Sequence, residues 1–159
     1  MSKHVIDPAD LEPQTATSYP APYDQAVAGR EKRVLGNAFG LDQFGVNLVR
    51  LPPGAASAQR HWHTDEDEFV YVLEGTVTLV TDTGRQPLGP GMAAGFKAGV
   101  EDGHHLVNES DGDVLFLEVG TRAPKDFCKY PEADLLGERA AGRRTRFTRR
   151  DGSPFEEAP

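Results

Sequence analysis

Four of the five histidines in this chain stand in two close pairs, and imidazole is the commonest metal ligand among protein side chains. The first pair is His61-Trp62-His63. Residues two apart in a strand project from the same face, roughly 6.5 Å apart along it, so both imidazoles can approach one ion. Glu68 follows five residues after His63, and a hairpin would return its carboxylate beside them. Two nitrogens and one carboxylate oxygen suit a divalent transition metal, so the spacing predicts a metal site.

The second pair, His104-His105, opens a later predicted strand and offers a third imidazole. Neighbouring strand residues point to opposite faces, so only one of the two can join His61 and His63 from a regular strand. Asn108 shares the face of His104. Asn108 and His105 are candidates for residues that contact the metal ligands without binding the metal themselves. The competing interpretation is that these histidines are ordinary hydrogen-bonded residues of a structural β-domain.

The segments that must position these residues alternate between apolar and polar side chains with a period of two. Predicted strands cover residues 44–51, 68–74, 76–81, 92–96, 104–108 and 114–121. Short strands at this spacing, separated by Gly and Pro, favour an all-β sandwich or small barrel. The second and third strands are expected to form a hairpin through Glu74-Gly75, and the acidic run 65–67 is expected to be a solvated loop.

The strand predicted at 68–74 is apolar on both faces. Phe69, Tyr71 and Leu73 fall on one side, and Val70 and Val72 fall on the other. A small barrel has one interior, so the aromatic side needs cover from a second subunit or from the N-terminal segment. We therefore expect a homodimer.

The chain has 159 residues, which suits one domain, and a net charge of −8, which argues against nucleic acid as the main partner. We predict a β-barrel domain over 31–125, an extended proline-containing arm over 1–30, and a C-terminal tail over 126–159. The arginine-rich end of that tail is expected to lie against the acidic body or to be solvated. The sequence contains no long apolar run, so no membrane contact is expected, and a single cysteine, Cys128, fits a cytoplasmic protein.

Two segments resemble the two motifs of the cupin superfamily. The first motif is matched by Gly54, His61, His63, Glu68 and Gly75, and the second by Gly91, Gly99, His104 and Asn108. The second motif departs from the family pattern in two ways: Lys97 stands where proline is usual, and four residues rather than two separate Gly99 from His104. The chain is similar to small single-domain bacterial cupins of unassigned reaction.

The resemblance implies a small antiparallel jelly-roll barrel and a metal bound by His61, His63, Glu68 and His104, with His105 as the alternative third imidazole. The ion would be Mn, Fe, Ni or Zn, and the ligand set would leave open coordination positions for a small molecule. We expect a metal-dependent enzyme acting on a small oxygen-rich metabolite such as a sugar, a sugar derivative or a carboxylic acid. Isomerisation, decarboxylation and dioxygenation all occur in the superfamily. The alternative is a non-catalytic module that binds or senses a small ligand. No general acid or base can be assigned from spacing.

Overall fold

The computed structural model describes residues 4–140 and 143–155 of the chain. This part of the molecule is built from short strands with very little helix. The strands are β1 (Glu31–Val34), β2 (Phe44–Leu51), β3 (Trp62–His63), β4 (Glu68–Glu74), β5 (Val77–Thr81), β6 (Gly84–Leu88), β7 (Ala93–Phe96), β8 (His105–Val107), β9 (Val114–Thr121), β10 (Lys125–Lys129), β11 (Leu136–Ala140) and β12 (Arg146–Thr148). The helical segments are α1 (Leu35–Ala38) and two 3-10 turns, Pro8–Asp10 and Tyr23–Val27. None of the described helices is both long and apolar enough to cross a membrane.

The strands form three antiparallel sheets. The largest has the order β1-β2-β9-β4-β7, the second β12-β11-β10-β3 and the third β6-β5-β8. Backbone hydrogen bonds between His61 and His104 join the second and third sheets. This arrangement confirms the predicted all-β class and fits the jelly-roll fold.

One hydrophobic core lies between the five-stranded and the three-stranded sheets. It takes inward-facing residues from β2, β4 and β9 on one side and from β5, β6 and β8 on the other, including Val72, Phe116 and Leu106. On β4 the alternation is as predicted, because Val70 and Val72 are buried whereas their neighbours on the strand are not. Each fully buried Val or Phe side chain contributes about 1.5–3 kcal/mol to folding, so this core is a main source of stability.

The predicted hairpin between residues 68–74 and 76–81 is wrong. β4 pairs with β7 and β9, whereas β5 pairs with β6 and β8, so the two consecutive strands belong to different sheets. The chain crosses between the sheets at Gly75, which has a φ of 76°. A Cβ at this position would lie 2.7 Å from the Asp113 carbonyl oxygen, so the crossing is too close for any other residue.

The two ends of the described chain pack against each other. β11, β12 and all of β10 except Lys125 lie within the predicted tail, and these strands form one sheet with β3. Tyr19 and Tyr23 of the N-terminal arm pack on a second apolar cluster that includes Tyr130 and Leu135. The arm therefore covers the C-terminal strands and leaves the aromatic side of β4 open, where Phe69 is 44% exposed.

Replacing Gly75 by alanine should destabilise the fold by about 2–4 kcal/mol, since it combines an unfavourable positive φ with a backbone clash. Urea unfolding of Gly75→Ala measures this loss. Gly89→Ala is the matched control, because a Cβ at Gly89 meets nothing within 4 Å and the φ there is not positive. Equal unfolding midpoints for the two variants would contradict the assignment of Gly75 as an obligatory crossing point.

Candidate metal centre

Three imidazoles converge on one carboxylate oxygen inside the fold. The Oε2 atom of Glu68 lies 3.5 Å from His61 Nε2, 3.5 Å from His63 Nε2 and 2.7 Å from His104 Nε2. His61 and His104 are buried, and the other two side chains are only partly exposed. The four residues predicted as ligands are therefore neighbours in space.

Each of these side chains comes from a different structural element. His61 and His104 face each other in a backbone bridge, with N–H···O distances of 3.1 and 2.8 Å. His63 lies on β3, and Glu68 opens β4 opposite Phe96 of β7. The Phe96 ring stacks on the His104 ring at a centroid distance of 3.5 Å and an interplanar angle of 1°, which holds that imidazole in place.

The three imidazoles are oriented by hydrogen bonds at their other ring nitrogen. His61 Nδ1 lies 2.7 Å from the Gln59 carbonyl oxygen, and His104 Nδ1 lies 3.4 Å from the Asp102 carbonyl oxygen. His63 Nδ1 lies 2.6 Å from the buried Asp126 carboxylate. Such partners direct Nε2 towards the centre of the site, which is the orientation of histidines that bind metals.

The spacing of His61, Glu68 and His104 suits one ion, because their donor atoms all lie within 4.8 Å of one another, whereas His63 approaches Glu68 but lies outside this group of three. Nitrogen and oxygen ligands lie about 2.0–2.2 Å from a divalent metal, so two of them at a right or tetrahedral angle are roughly 2.8–3.6 Å apart. The distances from Glu68 Oε2 to the imidazole nitrogens, from 2.7 to 3.5 Å, are close to this interval. A three-nitrogen, one-oxygen set suits a transition metal better than calcium or magnesium, which take mainly oxygen.

The electrostatics of the site keep Glu68 ionised. Burial alone would raise the pKa of Glu68, but hydrogen bonds from His104, His61 and His63 hold this pKa well below its usual value. Burial alone would lower the pKa of His63, but the hydrogen bond to Asp126, aided by contacts with Cys128 and Glu68, raises it to about 12. The site therefore offers an anionic oxygen among the imidazoles.

His105 and Asn108 lie outside this convergence. His105 also lines the cavity described below, but its Nδ1 lies 3.0 Å from the Ala58 carbonyl oxygen and not beside Glu68. Asn108 is fully buried and donates to the carbonyl oxygens of Leu51 and Gly112, both at 2.8 Å. The geometry thus gives Asn108 a structural role in its loop and not the predicted place behind the ligands.

Sequence reasoning missed two residues of β10 at the site. Cys128 is paired opposite His63, and its Sγ lies 3.2 Å from His63 Nδ1, next to the contact made by Asp126. The sequence does contain a pattern that could have indicated this strand, because Asp126, Cys128 and Tyr130 are spaced two residues apart. The structure buries all three side chains. Cys128, His61 and His63 form a second group whose donor atoms lie within 4.8 Å of one another.

The solvated acidic loop predicted at 65–67 is wrong for its middle residue. Asp65 and Asp67 are exposed, but Glu66 is only 4% exposed. Its carboxylate forms an ion pair with Arg139 of β11 and accepts a hydrogen bond from the Ala123 amide at 2.9 Å. A buried carboxylate needs such partners, and one of them comes from the segment that was predicted to be a tail.

The four converging side chains lie at the wall of a cavity of about 270 Å³. Tyr19 of the N-terminal arm, Arg30 and Lys32 near β1, and Tyr130 after β10 also line it. The cavity is large enough for a small polar molecule, and both ends of the described chain help to enclose it. The geometry therefore joins a candidate metal centre to a candidate ligand site.

Comparison with known proteins connects this geometry to a family. Residues 47–120 match the model of the cupin domain. A solved structure from Silicibacter pomeroyi, described as a sugar phosphate isomerase from the cupin superfamily, is 45% identical, covers 96% of each chain and superposes with a TM-score of 0.90.

Two further relatives agree with this placement. A structure from Acidithiobacillus ferrooxidans, described as a candidate sugar phosphate isomerase, is 29% identical over 81% of each chain with a TM-score of 0.70. The β-alanine degradation protein BauB of Pseudomonas aeruginosa is 39% identical over 72 residues, which are 44% of this chain and 73% of BauB. With the jelly-roll sheets, the two histidine pairs and these matches taken together, the chain belongs to the cupin superfamily.

Proposed function

We propose that this cupin is a metal-dependent isomerase acting on a phosphorylated sugar. The observation that carries the proposal is the 45% identity to the Silicibacter pomeroyi protein over nearly the whole of both chains. The convergence of His61, His63, Glu68 and His104 beside a cavity supports it, because sugar isomerisation needs a polarised carbonyl group and a shielded site. Of the three reaction types expected from the superfamily resemblance, isomerisation is therefore favoured.

The proposed site would contain one divalent transition metal held by the three imidazoles and the carboxylate. Such an ion acts as a Lewis acid on a bound carbonyl or hydroxyl oxygen. The ligand set matches Mn, Fe, Ni or Zn. Asp126 and the carbonyl oxygens of Gln59 and Asp102 would keep each imidazole in its binding orientation.

Two tyrosines of the cavity are suited to hold substrate oxygens. The hydroxyls of Tyr19 and Tyr130 lie 3.4 Å apart, and both residues line the cavity. Burial raises the pKa of Tyr19 to about 12 and raises the pKa of Tyr130 well above its usual value. Both phenols are therefore protonated at neutral pH and can donate hydrogen bonds to sugar hydroxyls or to an anionic group.

The chain should bind about one divalent transition metal when it is purified without added metal. His61→Ala/His63→Ala should bind this metal at least about 100-fold more weakly, because loss of outer partners alone costs about 10–100-fold. Elemental analysis and metal titration measure the effect. Stoichiometric metal in the double variant would exclude this ligand set.

A second pair of variants distinguishes the two candidates for the third imidazole. His104→Ala should lose metal, whereas His105→Ala should retain it, because only His104 Nε2 lies beside the Glu68 carboxylate. Since the residues are adjacent in sequence, each variant is the matched control of the other. Loss of metal in His105→Ala alone would reverse the assignment.

The metal-restored protein should interconvert an aldose phosphate and its ketose isomer. The measurement is a ¹³C NMR screen of phosphorylated sugars of three to six carbons, with His61→Ala/His63→Ala as the inactive control. Turnover in the native protein and its loss in the double variant would support the isomerase. Saturable sugar phosphate binding with no turnover would instead establish the alternative, a binding or sensing module.

We also propose a homodimer formed through the outer face of β4. Phe69, Tyr71 and Leu73 are 44%, 39% and 37% exposed, and the described part of the N-terminal arm packs elsewhere. Aromatic and apolar residues clustered on one sheet face are typical of stable subunit interfaces. We further expect the protein in the cytoplasm, since its only cysteine, Cys128, is a free thiol.

Light scattering at micromolar concentration should give twice the mass of one chain. Tyr71→Glu should shift the protein towards the monomer, because it places a charge in the proposed apolar interface. Val100→Glu is the control, since Val100 is an exposed apolar residue outside this sheet face. A monomeric native protein at this concentration would refute the dimer.

A further inference from the structure

Arg30 is a positively charged residue in the wall of the candidate site that the metal chemistry does not use. It stands directly before β1, and its side chain lines the same cavity as His61, Glu68 and His104. One guanidinium nitrogen, Nη1, donates a hydrogen bond to the backbone carbonyl oxygen of Ser57. This contact anchors the side chain at the cavity wall.

The neighbouring cation is neutralised by the protein, whereas Arg30 is not. Lys32 lines the same cavity, and its Nζ lies 2.7 Å from Glu118 Oε1, which also accepts a hydrogen bond from Asn47 at 3.1 Å. Within residues 4–140 and 143–155, Arg30 forms an ion pair with no carboxylate, and Glu118 influences it only at longer range. The wall therefore carries one positive charge without a counter-ion from the described chain.

Most of the hydrogen-bonding capacity of Arg30, which lines the cavity, is not used by the described chain. A guanidinium has five N–H donors, and the described chain supplies an acceptor for one nitrogen, the Ser57 carbonyl. Within the described residues, Asp24 Oδ1 is the only buried side-chain nitrogen or oxygen atom without a hydrogen-bond partner. The remaining Arg30 nitrogens, which have no such partner either, are therefore not fully buried. Burial lowers the pKa of Arg30, but a guanidinium remains charged at neutral pH.

Hydroxyl groups of the N-terminal arm lie at the same wall. Thr17, Ser18 and Tyr19 all line the cavity, and Tyr19 is close enough to Arg30 for the guanidinium charge to oppose part of the rise that burial causes in the pKa of the phenol. A guanidinium group beside neutral hydroxyl donors is a common composition of binding sites for phosphate or carboxylate groups.

We infer that Arg30 binds the anionic group of the substrate, with the Tyr19 hydroxyl as a second donor. The identification of that group as a phosphoryl group rests on the proposed function. Two parallel N–H donors of a guanidinium can each meet one oxygen of the group, and this gives Arg30 a role in specificity that a lysine would not reproduce.

A purely structural role does not account for these observations. Holding the Ser57 carbonyl needs one neutral donor, whereas a partly buried cation without a counter-ion is costly. A divalent metal in the same cavity would increase that cost. An incoming anion removes it and satisfies the donors that the described chain does not use.

The test measures binding of inorganic phosphate to the full chain after chelation of metals, so that no ion contributes to the affinity. Calorimetry of the native protein should show saturable binding. Arg30→Gln should weaken it at least about tenfold, and Arg30→Lys should weaken it less, because it keeps the charge and loses the two parallel N–H donors. Arg33→Gln is the matched control, since Arg33 lies on the opposite face of β1 and donates to the Leu11 carbonyl outside the cavity. Its phosphate affinity should equal that of the native protein.

Measurements on the native protein cover the case in which Arg30→Gln does not fold. Phosphate should shift the amide NMR signals of Arg30 and Ser57 and leave those of the remote β6 residue Gln86 unchanged. No saturable phosphate binding, or equal affinity in a folded Arg30→Gln variant, would overturn the inference. A parallel titration with acetate shows which anionic group the site prefers. Tighter phosphate binding supports a phosphoryl group on the substrate, and tighter acetate binding indicates a carboxylate instead.

The outcomes for the anion site and for the isomerase are separable. If phosphate binds through Arg30 but no sugar phosphate turns over, the anion site stands and the isomerase proposal fails. If turnover occurs and Arg30→Gln leaves phosphate affinity unchanged, the isomerase stands and the role of Arg30 is rejected.

Discussion

The partial burial of the Glu68 carboxylate, whose side chain is 21% exposed, is the constraint on which the architecture of the site depends. A carboxylate removed from water is stable only if hydrogen bonds or charges compensate for the lost hydration. Here the compensation comes from His63 on the four-stranded sheet and from His61 and His104, whose backbone bridge links that sheet to the three-stranded one. One oxygen atom of the five-stranded sheet is thereby connected to both other sheets, and the strands must close around it.

This constraint explains why the ends of the chain belong to the site. His63 needs a partner for its outer nitrogen, and Asp126 of β10 supplies it at 2.6 Å. β10 in turn needs an apolar cover, and Tyr19 of the N-terminal arm packs on the cluster around Cys128 and Tyr130. The same arm and strands then enclose the cavity next to Glu68, so they complete the site that a bare jelly roll would leave open.

The charge distribution within the cavity is asymmetric. Glu68 and Asp126 lie on the side of the imidazoles, where a divalent ion would be neutralised. Lys32 on β1 and Glu118 on β9 neutralise each other, which leaves Arg30 as the positive group without a carboxylate partner in the described chain. The proposed substrate, a phosphorylated sugar, would place its oxygen-rich end at the proposed metal and its anionic end at the arginine.

The amino-acid sequence by itself determined the all-β class, most strand positions and the types of side chain at the candidate centre. These features follow from local rules, because the period-two alternation of apolar and polar side chains indicates a strand from its own residues. Strand partnership is decided between distant segments, and for this reason the hairpin expected at Gly75 was wrong and β10 was not recognised as the partner of β3. Only the tertiary structure could bring Asp126, Cys128 and Arg30 to the site, since each lies more than 30 residues from His63 and contacts between such residues arise from packing and not from spacing.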